Sequence, residues 1–234
     1  MSKIKICGLF RAEDAQAVNA AMPDYAGFIF VPESRRFVPE EKAAALREAI
    51  DIRIPTVGVF RNASLQAIER LYLSGVISVV QLHGTEDAVY MTALKQRLGA
   101  HVPLIKAARV TEAGVDFRGC HPLRAEAVNA GVPERPQPCP ADYLLYDNGT
   151  GGTGERFDLS VLARAKKKGR LPDKPYFIAG GVSLENLHDI LLQRPYGVDV
   201  SSGAETDGVK DAAKILAIVK AVRSKTLSRK EEAE

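Results

Sequence analysis

The stretch KIKICGLFRAEDAQAVNAAMPDYAGFIF, residues 3–30, holds one complete structural unit. Lys3 to Cys7 is a short run of alternating apolar and charged residues, the pattern of a strand. Arg11 to Met22 carries helical spacing, and Tyr25 to Phe30 is a second short apolar run. A strand, a helix and a strand in this order and at this length predict a parallel pair with a helical crossover.

The same unit recurs along the chain. Further strands are expected at Ile54–Phe60, Val76–Leu82, Val102–Ala107, Asp142–Asp147, Pro175–Ala179 and Gly197–Val200. Helices are expected at Pro39–Ile50, Ser64–Ser74, Asp87–Leu98, Leu159–Lys168, Leu184–Leu192 and Lys210–Arg223. Pro39 suits a helix start, and Glu40 and Glu41 suit its first turn. Eight strands, nearly all followed by a helix, fit within 234 residues. That number closes more naturally into a single α/β (β/α)8 barrel, a TIM barrel, than into the alternative, an open doubly wound sheet. Residues 1–223 form the expected barrel domain, and residues 224–234 a charged tail. The segment Arg109–Pro140 is irregular, with Pro122, Pro133, Pro136, Pro138 and Pro140. It reads as an exposed loop with a short helix over Leu123–Val128.

Composition narrows the function. Apolar residues make up 46% and charged residues 26%, and the formal net charge is +3. An excess that small, without a basic stretch laced with aromatics, argues against a nucleic-acid surface. No apolar run reaches the length of a membrane span, and the first residues lack a secretory pattern. Cys7, Cys120 and Cys139 show no metal-binding spacing. A sparse, odd count fits a reducing cytoplasm, where Cys120 and Cys139 are expected to stay unpaired.

In a barrel of this kind, chemistry gathers where strands end. Polar and glycine residues recur at those positions: Cys7-Gly8, Ser34-Arg35-Arg36, Gln81-Leu82-His83-Gly84, Asp147, Gly149 to Gly154, Gly180-Gly181 and Ser201-Ser202-Gly203. The glycine-rich loops after the seventh and eighth strands suit a phosphate, bound by backbone N–H groups. Gly152 and Gly154 are expected to add N–H donors or to belong to a flap over the ligand. Alternation places Lys3, Lys5 and Cys7 on one side of the first strand and Ile4 and Ile6 on the other. The lysines and the cysteine then face the barrel interior. A buried ammonium needs a counter-charge. Asp199, on the strand that neighbours the first when the barrel closes, is the expected partner of Lys5. Lys5 is also expected to lower the thiol pKa of Cys7. From the residues alone, Cys7 is either a reactive thiol or a small buried hydrophobe, and Asp147 either an acid or base or the cap of a turn. Arg36 either grips a carboxylate or is a loop charge, with Arg35 as the competing candidate. His83 either walls a pocket or is structural.

The ordered set Lys5-Ile6-Cys7-Gly8, Ser34-Arg35-Arg36-Phe37, Gln81-Leu82-His83-Gly84, Asp147 to Gly154 with Phe157-Asp158, Ala179-Gly180-Gly181 and Val198 to Gly203 closely resembles the phosphoribosylanthranilate isomerase family. The resemblance spans about Lys3 to Arg223. It implies an Amadori rearrangement of N-(5-phosphoribosyl)anthranilate to its 1-deoxyribulose isomer, a step of tryptophan biosynthesis. By this match Cys7 is the general base, Asp147 the general acid and Arg36 the partner of the anthranilate carboxylate. Gly180, Gly181, Ser201, Ser202 and Gly203 take the phosphate, with Gly152 and Gly154 beside them, and His83 and Asp199 contact the substrate. The substrate's own nitrogen is the electron sink, so no metal or organic cofactor is expected. The expected partner is that small phosphorylated molecule, and a monomer is favoured. Leu159 stands where the family commonly has tryptophan. A related histidine-pathway ribonucleotide isomerase is the rival reading, but that family uses a first-strand aspartate where this chain has Cys7. The other rival is a non-catalytic phosphoribosyl-binding module.

Overall fold

The computed structural model describes residues 1–117, 139–148, 159–169 and 171–224. The first unit is β1 (Lys3–Cys7), α1 (Ala12–Ala21) and β2 (Tyr25–Ile29). Then follow α2 (Glu40–Ala49), β3 (Thr56–Phe60), α3 (Leu65–Leu73), β4 (Val79–Leu82), α4 (Ala88–Leu98) and β5 (Leu104–Thr111). The chain continues through β6 (Gly114–Asp116), β7 (Tyr143–Asp147), α5 (Leu159–Lys167), β8 (Tyr176–Ile178) and α6 (Leu187–Leu192). It ends with β9 (Gly197–Val200), β10 (Glu205–Thr206), β11 (Val209–Lys210) and α7 (Ala212–Arg223).

The main sheet runs β4-β3-β2-β1-β9-β8-β7-β5, and a further pairing of β4 with β5 closes it into a ring. All eight of these strands pair in parallel. The expected barrel is therefore the observed one. Side-chain caps start several helices where the sequence offers an acceptor: Ser64 for α3, Asp87 for α4 and Asp211 for α7.

Strand alternation separates two cores. Ile4 and Ile6 belong to the large cluster between sheet and helices. Val57, Val79, Ile105, Ala107, Leu145, Phe177 and Ala179 form the smaller cluster inside the ring. Tyr25, Tyr143 and Tyr196 pack against it from the end where the strands begin. Lys5 lies within the ring, fully buried, and donates to Asp199 Oδ2 at 2.9 Å. The two residues are direct neighbours in the β1–β9 register. Lys3, expected to face the same interior, reaches outward and pairs with Asp24 instead. It sits where β1 begins, and its side chain is 47% exposed to water. Gly27, opposite Cys7 in the register of β1 and β2, makes room for both inward side chains. A Cβ there would lie 2.9 Å from Cys7 Sγ and 3.2 Å from Lys5 Cε.

Further features differ from the sequence reading, among them Lys210, which lies in β11 and not in the last helix. β5 runs on to Thr111 and folds back on the antiparallel β6. α6 begins at Leu187 rather than Leu184, because Asn186 accepts from the Ser183 N–H and donates to the Gly181 carbonyl. That side chain secures the loop where a helical turn was expected. Cys139 is disulfide-bonded, which corrects the expectation that it stays unpaired, while Cys7 is free. Cys120, the expected Leu123–Val128 helix, Gly152, Gly154 and the tail beyond Ser224 lie outside the described residues. No helix among the described residues is long and apolar enough to cross a membrane.

Gly27→Ala tests the crowding inside the ring. Overpacking of this kind costs about 1–3 kcal/mol. The urea midpoint of the variant should fall accordingly, and an unchanged midpoint would show that the interior has slack at Cys7.

Candidate active site

A cavity of about 420 Å³ opens at the end of the ring where the strands finish. Cys7 ends β1, Asp147 ends β7, and both line it. Arg36, His83, Gly180, Gly181, Asp199, Ser201 and Ser202 line it as well. The structure thus gathers nearly every expected site residue around one space. Gly203 is the exception among the described ones. A Cβ on it would lie 2.0 Å from the Val182 carbonyl oxygen, so it serves the close packing of the last two loops against each other.

The Cys7 side of the cavity is a balance of opposed effects. Burial pushes the thiol pKa up, the Lys5 ammonium pulls it down, and the Asp199 carboxylate pushes it up again. The net direction is upward, which corrects the expectation of a lowered thiol. Lys5 does act as expected, but desolvation outweighs it. Asp199 gives one oxygen to Lys5, while its Oδ1 is buried and has no hydrogen-bond partner among the described residues. A buried carboxylate oxygen on a cavity wall needs a donor. Ser201 Oγ donates to the Cys7 carbonyl at 3.1 Å, fastening the loop after β9 to the end of β1.

The Asp147 side is a hydrogen-bonded row. Asp147 Oδ2 lies 3.0 Å from His83 Nε2, and His83 Nδ1 lies 3.2 Å from Gln81 Nε2. Which of His83 Nε2 and Asp147 Oδ2 donates depends on the tautomer of the ring. His83 therefore serves the carboxylate as well as the cavity wall. Gly180 has a φ of +79°, and a Cβ on it would lie 2.7 Å from Asp147 Oδ1. Only a glycine leaves space for the carboxylate there.

Arg36 is buried, and its guanidinium is held by Glu205. Nε donates to Oε1 at 2.6 Å and Nη2 to Oε2 at 2.9 Å. Arg35 donates to the same carboxylate at 2.7 Å, and Lys210 at 2.5 Å. Burial works against ionisation, but Arg36 and Lys210 hold the Glu205 carboxyl down at about 2. The sequence reading missed Glu205 and Lys210. The available signal was Asp207-Gly208, both with positive φ, the pair that builds a two-residue hairpin turn. That turn sets Glu205 opposite Lys210.

A ring of eight parallel strands, with a thiol, a carboxyl and glycine loops at the C-terminal mouth, defines the class: a (β/α)8-barrel enzyme with its chemistry at that end. The family model for N-(5'-phosphoribosyl)anthranilate isomerase matches residues 4–123 and 124–221. The N-(5'-phosphoribosyl)anthranilate isomerase of Lachnoclostridium phytofermentans is 39% identical over 225 residues, 91% of this chain and 94% of its own. The crystal structure of phosphoribosyl anthranilate isomerase from Thermus thermophilus superposes with a TM-score of 0.72 at 32% identity, covering 94% of this chain and 98% of that one. A phosphoribosyl anthranilate isomerase in complex with reduced 1-(o-carboxyphenylamino)-1-deoxyribulose 5-phosphate superposes with a TM-score of 0.68 at 27% identity, over 94% of this chain and 97% of that one. The chain belongs to the N-(5'-phosphoribosyl)anthranilate isomerase family, enzymes of tryptophan biosynthesis.

Lys5→Met removes the cation that lowers the Cys7 thiol and leaves Asp199, which raises it. The thiolate ultraviolet absorbance, read against a Cys7→Ser background, should therefore titrate at higher pH than in the parent. A midpoint that stays or falls contradicts this electrostatic account. Leaving Asp199 buried and unpaired should also cost about 3–5 kcal/mol of stability.

Proposed function

We propose that this barrel isomerises N-(5'-phosphoribosyl)anthranilate with Asp147 as general acid and Cys7 as general base. The observation that carries the assignment is the placement of both groups on one cavity, which Arg36 and the Gly180-Gly181 and Ser201-Ser202 loops also line. Asp147 gives a proton to the furanose ring oxygen. The C1–O bond breaks, and the anilino nitrogen's lone pair forms the iminium. That cation acidifies the C2 proton, which the Cys7 thiolate removes. The electron pair left on C2 flows toward nitrogen, giving an enolamine, and this tautomerises to the ketone. The electron sink belongs to the substrate, so the protein's task is to place two protons.

The remaining residues fit the substrate's other groups. Backbone N–H groups of Gly180, Gly181, Ser201 and Ser202 suit the phosphate, and glycine allows the close approach. Arg36 suits the anthranilate carboxylate, since guanidinium and carboxylate match in shape. Asp199 Oδ1, buried without a partner among the described residues, suits a sugar hydroxyl. His83 holds Asp147 and forms wall beside it. The bound reduced product in the related structure is a molecule carrying the same phosphate and carboxylate.

Purified protein should consume the fluorescent substrate without added cofactor; a chain that binds it but never turns it over is a binding module, and the proposal is lost. Cys7→Ser and Asp147→Asn should each lower kcat by roughly 10²–10⁴-fold. Substrate binding, followed by quenching or calorimetry, should persist in both. Near-normal turnover in either variant would remove that residue from its role.

A further inference from the structure

Arg36 needs more than its own charge to receive a carboxylate. A guanidinium on a long side chain samples many orientations, and bidentate recognition demands one. The structure removes that freedom at both ends of the side chain. The stem crosses Gly8, where a Cβ would lie 2.5 Å from Arg36 Cδ. The head is held by Glu205 through two parallel bonds, at 2.6 and 2.9 Å. These use Nε and one Nη2 hydrogen bond, and Nη1 is not committed to Glu205.

We propose that Glu205 is the positioning residue that aims Arg36 at the substrate carboxylate, an inference that rests on the assignment of Arg36 above. The charges around it are arranged for that task. Glu205 alone would repel an incoming anion. Arg35 and Lys210 also bond to it, so three cations surround one carboxylate. The cluster keeps a net positive charge when the substrate carboxylate arrives. Lys210 also donates to the Ser201 carbonyl at 3.2 Å, in the loop assigned to the phosphate. The Asp207-Gly208 hairpin thereby ties the carboxylate end of the cavity to the phosphate end. Glu205 itself does not line the cavity, so it acts through Arg36.

The test compares two ligands, the reduced product and its counterpart made from aniline, which lacks the carboxylate. Affinities are measured by calorimetry for the parent, Arg36→Met, Glu205→Gln and Glu205→Asp. Glu205→Asp guards against misfolding, because it keeps the charge that Lys210 and Arg35 need but withdraws it by one methylene from Arg36. A positioning role predicts that Glu205→Gln and Glu205→Asp weaken the carboxylated ligand on the order of ten- to a hundred-fold, the worth of a charge-assisted hydrogen bond. The aniline ligand should bind all folded variants nearly as well as the parent. In turnover, KM should rise more than kcat falls. If Arg36→Met loses the carboxylated ligand selectively but both Glu205 variants do not, the positioning role is overturned and the Arg36 assignment stands. If both ligands weaken equally in the Glu205 variants, Glu205 is merely structural and the inference is equally lost. If Arg36→Met itself shows no selectivity, the Arg36 assignment fails, and the role of Glu205 with it.

Discussion

An ammonium ion inside a parallel barrel has no water to turn to, and Lys5 is in that position. Its desolvation is tolerable only with a carboxylate at bonding distance. Asp199 supplies it at 2.9 Å, from the strand on which the ring closes. A one-residue slip between β1 and β9 would turn one partner outward and strand the other charge. The pair therefore holds the closure in register. It also sets the site, since Cys7 stands two residues beyond Lys5 and Ser201 two residues beyond Asp199, on the same inward face. The Ser201 hydroxyl bonded to the Cys7 carbonyl completes that seam.

The second cluster of buried charge repeats this logic between loops. Arg36 comes from the segment after β2, and Glu205 and Lys210 from the small hairpin after β9. None of these stands on a barrel strand, and apart from the Glu205–Lys210 pairing within the hairpin no register enforces its position. Their mutual bonds do so instead, with Arg11 adding a donor to the Lys210 carbonyl at 3.0 Å. Loops built only on turns would leave this wall of the cavity mobile. Here the wall is fixed by ion pairs, of which Arg36–Glu205 and Lys210–Glu205 are shielded by burial from salt and water.

Much of this was legible in the sequence, for identifiable reasons. Parallel strands buried on both faces leave short apolar runs, and caps mark the helix starts. Alternation, together with the first and last strands being neighbours in a closed barrel, placed Lys5 beside Asp199 and brought Cys7 to the mouth. The β6 return was not legible, because three residues around Gly114 carry no periodicity. Neither was the late start of α6, which depends on one asparagine side chain bonding across its own loop. Glu205 escaped because its importance is relational. A glutamate past a strand end is ordinary until the fold delivers Arg35, Arg36 and Lys210 to its two oxygens. The direction of the Cys7 shift was misjudged for a similar reason. Sequence shows the neighbouring lysine but not how completely the sulfur is removed from water.

That raised thiol bears on how the proposed chemistry is timed. The protein alone biases the sulfur toward keeping its proton, because burial and Asp199 together outweigh Lys5. The cation that tips the balance arrives with the reaction. Once the ring opens, the iminium places a positive charge in the same water-poor cavity, where a charge acts more strongly than in solvent. The thiol then gives its proton to solvent at the mouth more readily, so the thiolate is most populated while the C2 proton is acidic. A thiol kept as thiolate at rest would be open to oxidation and alkylation. Lys5 keeps the cost of deprotonation within reach, and Asp199 keeps Lys5 in place. Under this reading the buried pair that closes the barrel also sets when the sulfur acts.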